Sequence, residues 1–415
     1  MKIAFLSHYF PPEVNAPATR TLENCRRWAA QGHEVHVITC VPSHPAGVPF
    51  AGYRRRWYQR EMYDGIVVHR VWTWLAPNAG VLKRTVNFLS FVPTAAWRVL
   101  RIGRPNVIVG TSPQFFCAVA TWIAATLLRV PWVFDLRDLW PESIVAVGAK
   151  RGYMPMRLLE RLELHLYRSA RVVVAVSQAF VRDLVRRGID PAKLQFVPNG
   201  VDVAVWERGS AARGREALGM AAGDALVSYV GTIGMAHDVG TIVTAAERLR
   251  GQRIQFAIAG DGAELPAIRA RAAHLDHVRF TGLLPRDRMP DLLAASDILL
   301  VTLKGTETFK SVLPSKMFEA MAAGRPIVAA IEGEARATLE RSGAGIAVPP
   351  GNPAALADAI AQLAGDPELR ARLGQAGRDF VDTEFNRRVW ADRYLEILEH
   401  TDCDQFQPEL RPSSL

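Results

Sequence analysis

Residues 2–39 read KIAFLSHYFPPEVNAPATRTLENCRRWAAQGHEVHVIT, and this stretch determines the fold class. Lys2–Ser7 is apolar at nearly every position, which predicts a buried parallel strand, and Val35–Thr39 predicts a second one. Between them, Thr19 is predicted to cap a helix that ends before Gly32. A strand–helix–strand unit of this kind requires a parallel sheet, because the helix returns the chain to the edge of the sheet at which it started.

The alternation of strands and helices continues in two series, separated by a small, polar segment at 206–224. We predict an α/β protein of two Rossmann-like domains, 1–205 and 206–384, with a helix at 385–402 that packs back on the first domain and a tail at 403–415. Ligands of open parallel sheets bind beyond the carboxyl ends of the strands. The further predicted strands lie at Val107–Val109, Trp132–Asp135, Val172–Val176, Gln195–Val197, Leu226–Val230, Ile254–Ala259, Val278–Phe280, Ile298–Val301, Ile327–Ala330 and Gly345–Val348.

The composition fits a globular protein in a reducing compartment. Apolar residues make up 49% of the 415 residues, so each domain can bury a core. The four cysteines form no CxxC pair, which argues against a zinc site and a disulfide framework. The longest apolar runs, such as Cys117–Leu128, are shorter than the roughly 20 residues that a transmembrane helix needs. With no signal peptide ahead of the first strand, we expect a cytoplasmic protein.

Charge is distributed unevenly along the chain. Residues 1–205 contain 26 Lys and Arg against 13 Asp and Glu, whereas the remainder contains 24 against 28. The basic first half indicates an anionic partner, such as a membrane surface, a lipid diphosphate or a nucleic acid. An Arg-favouring composition with solvated Arg-rich faces is the alternative explanation.

A basic, aromatic insertion between residues 53 and 104 interrupts the first series of strands, and Arg54, Arg55 and Trp57 stand at its start. Basic residues interleaved with Trp and Tyr are typical of a surface that contacts a membrane. We therefore assign these three residues, together with Arg20, to an acceptor- or membrane-binding surface. A helix that packs on the core and turns an Arg-rich face outward is the alternative.

The segment 310–330, KSVLPSKMFEAMAAGRPIVAA, contains the strongest candidate binding site. Ser315, after Pro314, is predicted to cap a helix whose first turn offers free backbone N–H groups to an anion. Lys316 is unfavourable at that end of a helix unless a diphosphate binds there. Glu319, one turn further, offers two acceptor oxygens to the hydroxyls of a ribose. A capped surface helix with ordinary charges is the alternative.

Two other predicted strands end in glycine-bearing loops. Gly231 and Thr232 follow one strand, with His237 before the next helix, and Gly260 and Asp261 follow another. Glycine allows a phosphate or a nucleobase to approach the backbone closely, and a histidine can donate to a phosphate oxygen. Each pattern alone is also ordinary loop and turn chemistry.

Polar residues follow predicted strands in the first domain as well. His8 and Asn15 lie in the loop after the first strand, and Arg137 and Asp138 lie at the end of the strand that contains Asp135. Carboxylates and an arginine at a strand end are typical of a polar reaction centre. An Asp–Arg pair that only stabilises its own loop is the alternative.

In their order and spacing these segments resemble the family-4 glycosyltransferases, whose GT-B fold has two Rossmann-like domains facing each other across a cleft. The resemblance extends over nearly the whole chain and includes Val197–Asp202, Gly260–Gly262 and Phe318–Pro326. Within the family, residues 135–143 and 312–319 resemble the branch of bacterial polysaccharide enzymes that transfer fucose or N-acetylfucosamine-type sugars.

The resemblance implies a retaining glycosyltransferase that takes a UDP- or GDP-sugar and needs neither a metal ion nor another cofactor. It implies a polyprenyl-diphosphate-linked saccharide, or a similar acceptor, at the inner face of the bacterial cell membrane, where the protein would be peripheral. The catalytic residues that it implies are His8, Arg137 and Asp138. The donor-binding residues that it implies are Asn15, Gly231, Thr232, His237, Gly260, Asp261, Ser311, Pro314, Ser315, Lys316 and Glu319.

This sequence departs from the family pattern at three places. The family carries two glutamates separated by seven residues; Glu319 matches the second, but Ser311 occupies the position of the first. The phosphate-binding Arg and Lys of the family fall on Thr232 and His237, and its His–Asp pair is replaced by Arg137 and Asp138. Lys316, the helix dipole and either Arg20 or Lys310 are left to compensate for the missing charges.

Two alternative functions belong to other classes. A nucleotide-sugar 2-epimerase also has two Rossmann-like domains, and it would release the free 2-epimer without an acceptor. A nucleic-acid-binding protein would use the basic first half, but the sequence has no helix-turn-helix, zinc or RNP-type signature, so we expect no nucleic-acid partner. A dinucleotide-dependent oxidoreductase is a weaker alternative still, because no G-x-G-x-x-G follows the first strand.

Overall fold

The computed structural model of the chain describes residues 1–13, 15–44, 46–77, 81–112, 114–139, 154–220 and 223–402. The chain divides into two compact units, one formed by Met1–Pro198 with the chain from Arg388, the other by Asn199–Arg387. Each unit contains a sheet of parallel strands covered by helices, which confirms the predicted α/β class. The predicted tail at 403–415, with Cys403, and residues 140–143 of the family resemblance lie outside the described residues.

The first unit contains an eight-stranded sheet in the order β3-β4-β2-β1-β5-β6-β7-β8. All neighbours are parallel except β3 and β4, a hairpin at the sheet edge. The sequence pattern did not predict this hairpin, which lies within the basic insertion. The strands are β1 (Lys2–Leu6), β2 (Glu34–Cys40), β3 (Tyr58–Tyr63), β4 (Ile66–Val71), β5 (Val107–Thr111), β6 (Trp132–Leu136), β7 (Val172–Ala175) and β8 (Leu194–Phe196).

Helices cover both faces of this sheet: α1 (Ala16–Ala30), α2 (Val81–Arg101), α3 (Phe115–Leu128), α4 (Met154–Ser169) and α5 (Gln178–Arg186). Helix α1 begins at Ala16, so the prediction of Thr19 as its cap is wrong. Asn15 has an extended backbone, and its side-chain oxygen accepts a hydrogen bond from the Ala18 N–H at 2.9 Å. A residue with these two properties is the cap of a helix.

The second unit contains a six-stranded parallel sheet in the order β11-β10-β9-β12-β13-β14. Its strands are β9 (Ala225–Val230), β10 (Ile254–Ala259), β11 (Val278–Gly282), β12 (Ile298–Thr302), β13 (Ile327–Ala330) and β14 (Gly345–Val348). Its helices are α6 (Val203–Trp206), α7 (Ala211–Ala217), α8 (Val239–Arg248), α9 (Leu265–Ala272), α10 (Met289–Ala295), α11 (Ser315–Ala322), α12 (Gly333–Ser342), α13 (Pro353–Gly365) and α14 (Pro367–Glu384). Alternate residues of its strands pack on opposite faces, as buried parallel strands require: Leu300 in one cluster, Leu299 and Val301 in the other.

The boundary between the units differs from the predicted one at 205/206, and the polar segment 206–224 contains helix α7 instead of a plain linker. Residues after Pro198 already belong to the second unit because the Val201 N–H donates to the Phe385 carbonyl at 2.8 Å and the Val201 carbonyl accepts from the Arg387 N–H at 3.0 Å. The small, polar residues of this segment belong to a packed helix, since Gly214 of α7 lies against the Asp291 backbone.

The last helix, α15 (Arg387–Asp402), begins two residues later than predicted and packs against α1 in the first unit. The Trp28 indole N–H donates to the Ala391 carbonyl at 2.9 Å, and the Trp28 ring contacts the Tyr394 ring edge-on at 5.2 Å between centroids. Tyr394 and Leu398 are fully buried in the same apolar cluster as Phe5 of β1. This cluster makes α15 part of the core of the first unit.

Candidate functional site

The glycine-bearing loops after β9 and β10 are bound directly to each other. The Gly231 N–H donates to the Ala259 carbonyl and the Ile233 N–H to the Asp261 carbonyl, both at 2.9 Å. Gly260 has a φ of 142°, and a Cβ at this position would lie 1.9 Å from the Gly231 oxygen. Only glycine fits there, so these loops hold their backbones at the carboxyl ends of two adjacent strands with no side chain between them.

Lys316 of α11 lies beside the first of these loops. Its ammonium nitrogen is 2.9 Å from the Tyr229 hydroxyl and 4.2 Å from the centroid of the Tyr229 ring. A Cβ on Gly231 would lie 2.7 Å from that nitrogen, so the glycine leaves the cation its space. Burial lowers the pKa of Lys316 to about 7, and the negative charge of Glu319 acts in the opposite direction. The structure thus brings Lys316, Gly231 and Tyr229 together.

Helix α11 begins one residue earlier than predicted, at Ser315, and Pro314 is the cap residue instead of Ser315. Proline has no polar side chain, and no side-chain hydrogen bond caps this helix. Among the described residues the Met317 N–H donates to the Pro314 carbonyl at 3.1 Å, which leaves the Ser315 and Lys316 N–H groups for a ligand or for water. The helix dipole places partial positive charge at the same end.

Glu319 lies one turn further along α11, partly buried. Among the residues that the structure describes, no hydrogen bond or ion pair holds its carboxylate. Burial raises its pKa, while the charges of Arg387, Lys316 and Arg286 act in the opposite direction. A half-buried carboxylate that no protein group satisfies is suited to accept hydrogen bonds from a ligand. Sequence reasoning missed the two arginines, because neither belongs to a recognised motif.

The other candidates of the second unit have different surroundings. The His237 side chain is partly buried, and its Nδ1 has no hydrogen-bond partner among the described residues. Burial lowers its pKa to about 4, with the charge of Lys316 acting in the same direction, so this imidazole is neutral near pH 7. Thr232 is exposed, and its carbonyl accepts from the Tyr229 hydroxyl at 2.7 Å. Asp261 accepts from the Gly262 N–H, and the Ser311 hydroxyl donates to the Thr308 carbonyl.

In the first unit, Arg137 and Asp138 follow β6 as predicted, and their backbone N–H groups both donate to the Ser112 hydroxyl, at 2.8 and 3.3 Å. The Arg137 guanidinium donates to the carbonyls of Ala16 and Pro17 in the first turn of α1. Burial lowers its pKa to about 10. Arg137 therefore connects the end of β6 to helix α1.

Arg20 and Asn15 serve the fold in ways that the sequence did not predict. Arg20 is only 8% exposed; its guanidinium donates to the carbonyls of Val197 and Pro198 at 2.9 and 2.7 Å and lies 3.5 Å from Asp135. A guanidinium buried in this way does not lie on a membrane-facing surface, which corrects that assignment, whereas its predicted parts in acceptor binding and as a compensating charge stay predictions. Asn15 uses its side-chain oxygen as the cap of α1.

Arg54, Arg55 and Trp57 are exposed, and the Trp57 ring lies 5.1 Å from the Trp72 ring. Lys310, the other cation predicted to compensate for missing charges, pairs with Glu307 at 2.6 Å and Glu332 at 3.7 Å. The described residues contain no group of three or more His, Cys, Asp or Glu arranged to hold a metal ion. No helix within the same residues is both long enough and apolar enough to cross a bilayer.

Solved structures that resemble this chain define its fold class. Sucrose-phosphate synthase from Thermosynechococcus elongatus superposes with a TM-score of 0.77 at 18% identity, covering 96% of this chain and 98% of the other. Anabaena HepE in complex with UDP-glucose superposes with a TM-score of 0.72 at 18% identity, covering 96% and 100%. The chain has the GT-B fold of two Rossmann-like units.

Family matches and curated relatives identify the chain more narrowly. Residues 15–200 match the family described as glycosyl transferase 4-like domain, and residues 224–366 match glycosyl transferases group 1. WcaI of Escherichia coli K12, a putative colanic acid biosynthesis glycosyl transferase, is 27% identical over 78% of this chain and 82% of its own length. WbjE of Pseudomonas aeruginosa, a probable glycosyltransferase, is 28% identical over 69% and 72%. This chain is a glycosyltransferase, composed of a 4-like domain followed by a group 1 domain.

Proposed function

We propose that the second unit binds a nucleotide-sugar and that the enzyme transfers the sugar with retention of its anomeric configuration. The observation that carries this proposal is the position of Lys316, whose ammonium lies 2.9 Å from the Tyr229 hydroxyl, over a glycine and beside an uncapped helix start. The Lys316 ammonium, the backbone N–H groups at the start of α11 and the dipole of that helix lie at one place. Together they form an anion site suited to the diphosphate of a nucleotide-sugar. Glu319 accepts the ribose hydroxyls.

In this mechanism the protein positions the donor and stabilises the charge that develops on the leaving diphosphate. The acceptor hydroxyl attacks from the face that the diphosphate leaves, and the diphosphate takes the acceptor proton. Lys316 and the first-turn N–H groups of α11 carry out the stabilisation that a metal ion provides elsewhere, so no metal is required. Asp138 orients the acceptor hydroxyl, and Arg137 keeps the end of β6 in place.

The biological role that we propose is the synthesis of a bacterial surface polysaccharide. WcaI is named for colanic acid biosynthesis, and WaaG, a structural neighbour at a TM-score of 0.69, is described as involved in lipopolysaccharide biosynthesis. We propose a UDP- or GDP-sugar of the fucose or N-acetylfucosamine type as the donor, because residues 312–319 resemble that branch. The acceptor would be a polyprenyl-diphosphate-linked saccharide. The relatives are glycosyltransferases, which favours transfer over 2-epimerisation and over nucleic-acid binding.

We also propose that the protein binds the cytoplasmic leaflet through a membrane-facing patch, defined as Arg54–Trp57 with the exposed face of α2. Trp57 is 75% exposed, and Leu89 and Trp97 of α2 are 46% and 60% exposed. Lys83 and Arg84 lie exposed on the same helix. Exposed aromatic and basic side chains on one helix are typical of contact with an anionic bilayer.

A thermal-shift screen of the full chain against UDP, GDP and a panel of UDP-, GDP- and dTDP-sugars tests the donor site. A donor at a hundred times its dissociation constant stabilises the folded state by about 2.7 kcal/mol. We expect one nucleotide class to raise Tm and its sugar to raise it further. NMR of the product, with a lipid-linked acceptor present, then reports the anomeric configuration. If no nucleotide stabilises the protein, or if the free 2-epimer forms without acceptor, the proposal fails.

A further inference from the structure

Tyr229 of β9 holds the ammonium of Lys316 by two contacts. Among the described residues the single hydrogen bond of this ammonium goes to the Tyr229 hydroxyl, at 2.9 Å, so two of its three N–H donors stay available to a ligand. The Tyr229 ring lies beside the same ammonium, with 4.2 Å between nitrogen and centroid. Tyr229 is fully buried in a strand that is paired on both sides, so both contacts come from a rigid part of the sheet.

The directions of the hydrogen bonds define what the Tyr229 hydroxyl does. It donates its only proton to the Thr232 carbonyl, at 2.7 Å, so its oxygen presents lone pairs to Lys316. The hydroxyl therefore connects the ammonium to the loop that begins at Gly231, where a Cβ would lie 2.7 Å from the Lys316 nitrogen. One side chain sets the position of the cation relative to the backbone of this loop.

A neutral partner suits a cation that must bind an anion. Burial raises the pKa of Tyr229, so its hydroxyl stays uncharged. A carboxylate in the same place would neutralise the ammonium and repel a diphosphate, whereas a hydroxyl oxygen stabilises the positive charge without cancelling it. The charge of Lys316 matters more here than in the family pattern, because Thr232 and His237 occupy the positions of the family's Arg and Lys.

The protonation of Lys316 depends on its burial and on the groups around it. Burial lowers its pKa to about 7, and the charge of Glu319, from the same helix, acts in the opposite direction. His237, in the loop after β9, is neutral near pH 7 and adds no charge there. The Tyr229 oxygen, from β9, favours the protonated ammonium because it accepts a hydrogen bond from it. Loss of this hydroxyl should therefore lower the pKa of Lys316.

We propose that Tyr229 is a positioning residue of the transferase, whose hydroxyl holds the charged Lys316 ammonium at the Gly231 loop, where the donor diphosphate binds. The inference rests on the proposed function and deepens it, because it adds a residue that acts on the substrate only through Lys316. The hydroxyl should then matter for binding only while Lys316 is present.

A double-mutant cycle on the full chain tests this inference, with isothermal titration of UDP, GDP and dTDP as the measurement. Tyr229→Phe keeps the buried ring and removes only the hydroxyl. We expect it to weaken the affinity for the nucleotide that the wild type binds, by about tenfold at pH 8 and about twofold at pH 6, where more of the ammonium is protonated. In the Lys316→Ala background the same change should have no further effect.

Tyr394→Phe is the matched control, because it removes another fully buried tyrosine hydroxyl, in the first unit, and should leave the affinity unchanged. NMR of the ligand-free protein, labelled at the lysine Cε, measures the pKa of Lys316 directly. Tyr229→Phe should lower this pKa below its wild-type value, and Tyr394→Phe should not change it.

Two results would overturn the inference and leave the donor site in place. One is an equal loss of affinity from Tyr229→Phe with Lys316 present and in the Lys316→Ala background, because the hydroxyl would then act only through the Thr232 carbonyl. The other is a Lys316 pKa and a nucleotide affinity that are both unchanged in Tyr229→Phe. A wild type that binds none of the three nucleotides would refute the proposed donor site itself, and the inference with it.

Discussion

Lys316 is the residue on which the donor site depends most directly. Lys316→Ala removes the ammonium and leaves the first turn of α11 intact, so nucleoside diphosphates should lose about tenfold or more in affinity while nucleosides lose little. Isothermal titration with UDP or GDP and the matching nucleoside measures this difference. Lys310→Ala is the matched control, because Lys310 is already paired with Glu307 and Glu332. Equal losses for diphosphate and nucleoside would show that Lys316 is structural.

The same residue predicts a pH dependence of binding. Burial lowers the pKa of Lys316 to about 7, so the free protein loses this charge as the pH rises through 7. A bound diphosphate favours the protonated ammonium, so binding takes up a proton and the affinity falls above pH 7. Titrations between pH 6 and 9 should show this fall in the wild type and a flatter profile in Lys316→Ala. Parallel profiles for the two proteins would contradict it.

Glu319 carries a separate prediction. Glu319→Ala should abolish the binding of nucleotides through the ribose. It should leave Tm unchanged or raise it slightly, because the wild-type carboxylate is partly buried without a hydrogen bond among the described residues. The comparison of ribo- and 2′-deoxyribonucleotides in wild type and variant isolates the ribose contact. A variant that binds nucleotides like the wild type would remove Glu319 from the site.

At this scale the sequence predicted the positions of Lys316 and Glu319 on one helix face but not the partners around them. Tyr229 reads only as a core residue of a strand, and its contact with Lys316 joins residues 87 positions apart. Arg20 shows the opposite error: a basic residue on a helix was assigned to a surface, whereas its guanidinium is buried against backbone carbonyls. Such pairings follow from tertiary packing, which local patterns do not contain.

Among the elements, helix α2 is attached to the sheet edge through a pair of buried histidines. His69 of β4 lies 2.8 Å from His36 of β2, 3.0 Å from the Tyr58 hydroxyl of β3 and 3.1 Å from the Arg98 guanidinium of α2. Burial, with the charge of Arg98 next in importance, lowers the pKa of His69 from 6.5 to about 3. Its neutral ring is therefore the form that joins three strands to this helix.

The depressed pKa of His69 makes stability depend on pH in a definite direction. Below pH 6.5 the His69 side chain is protonated in the unfolded chain, whereas in the folded chain it stays neutral down to about pH 3. The free energy of unfolding must therefore fall as the pH falls from 6.5 toward 3. His69→Gln should lose stability at pH 7.5 but show a smaller further loss at pH 5 than the wild type, measured by urea unfolding. An unchanged pH slope would show that His69 does not supply it.

The elements also show why some structure was not predictable. Short continuous runs of apolar residues predicted the strands of both sheets apart from β3 and β4, because buried parallel strands are apolar at nearly every position. The edge hairpin β3–β4 was missed because strand β3 alternates between exposed and partly buried residues and carries little apolar signal, and because the apolar, nearly fully buried strand β4 was overlooked within the basic insertion. The start of α1 was misplaced because both Asn15 and Thr19 are good cap residues in sequence, and only the backbone conformation distinguishes them.

For the whole molecule, the uneven charge predicts salt-dependent membrane binding. Vesicles containing anionic lipid should retain the full chain at low salt, and retention should fall steeply as salt rises, since each Lys or Arg near the surface contributes roughly 1 kcal/mol and salt screens it. Replacing Arg54, Arg55 and Arg56 by Gln should weaken retention further. Replacing Arg336, Arg341 and Arg378 of the second unit is the matched control. A wild type that stays in the supernatant with anionic vesicles would refute the membrane-facing patch and leave the transferase assignment unaffected.

The boundary at Pro198 and the position of α15 have a consequence for synthesis on the ribosome. The second unit is one continuous segment, Asn199–Arg387, and all of its strands can pair as soon as that segment has emerged. The first unit needs Tyr394 and Leu398 to fill the cluster around Phe5 and Trp28, and these residues are translated after the whole of the second unit. Its core therefore stays incomplete until the second unit has been synthesised, which reverses the usual order in which the domain made first also folds first. Nascent chains of this enzyme should be most sensitive to chaperones and proteases in the first unit.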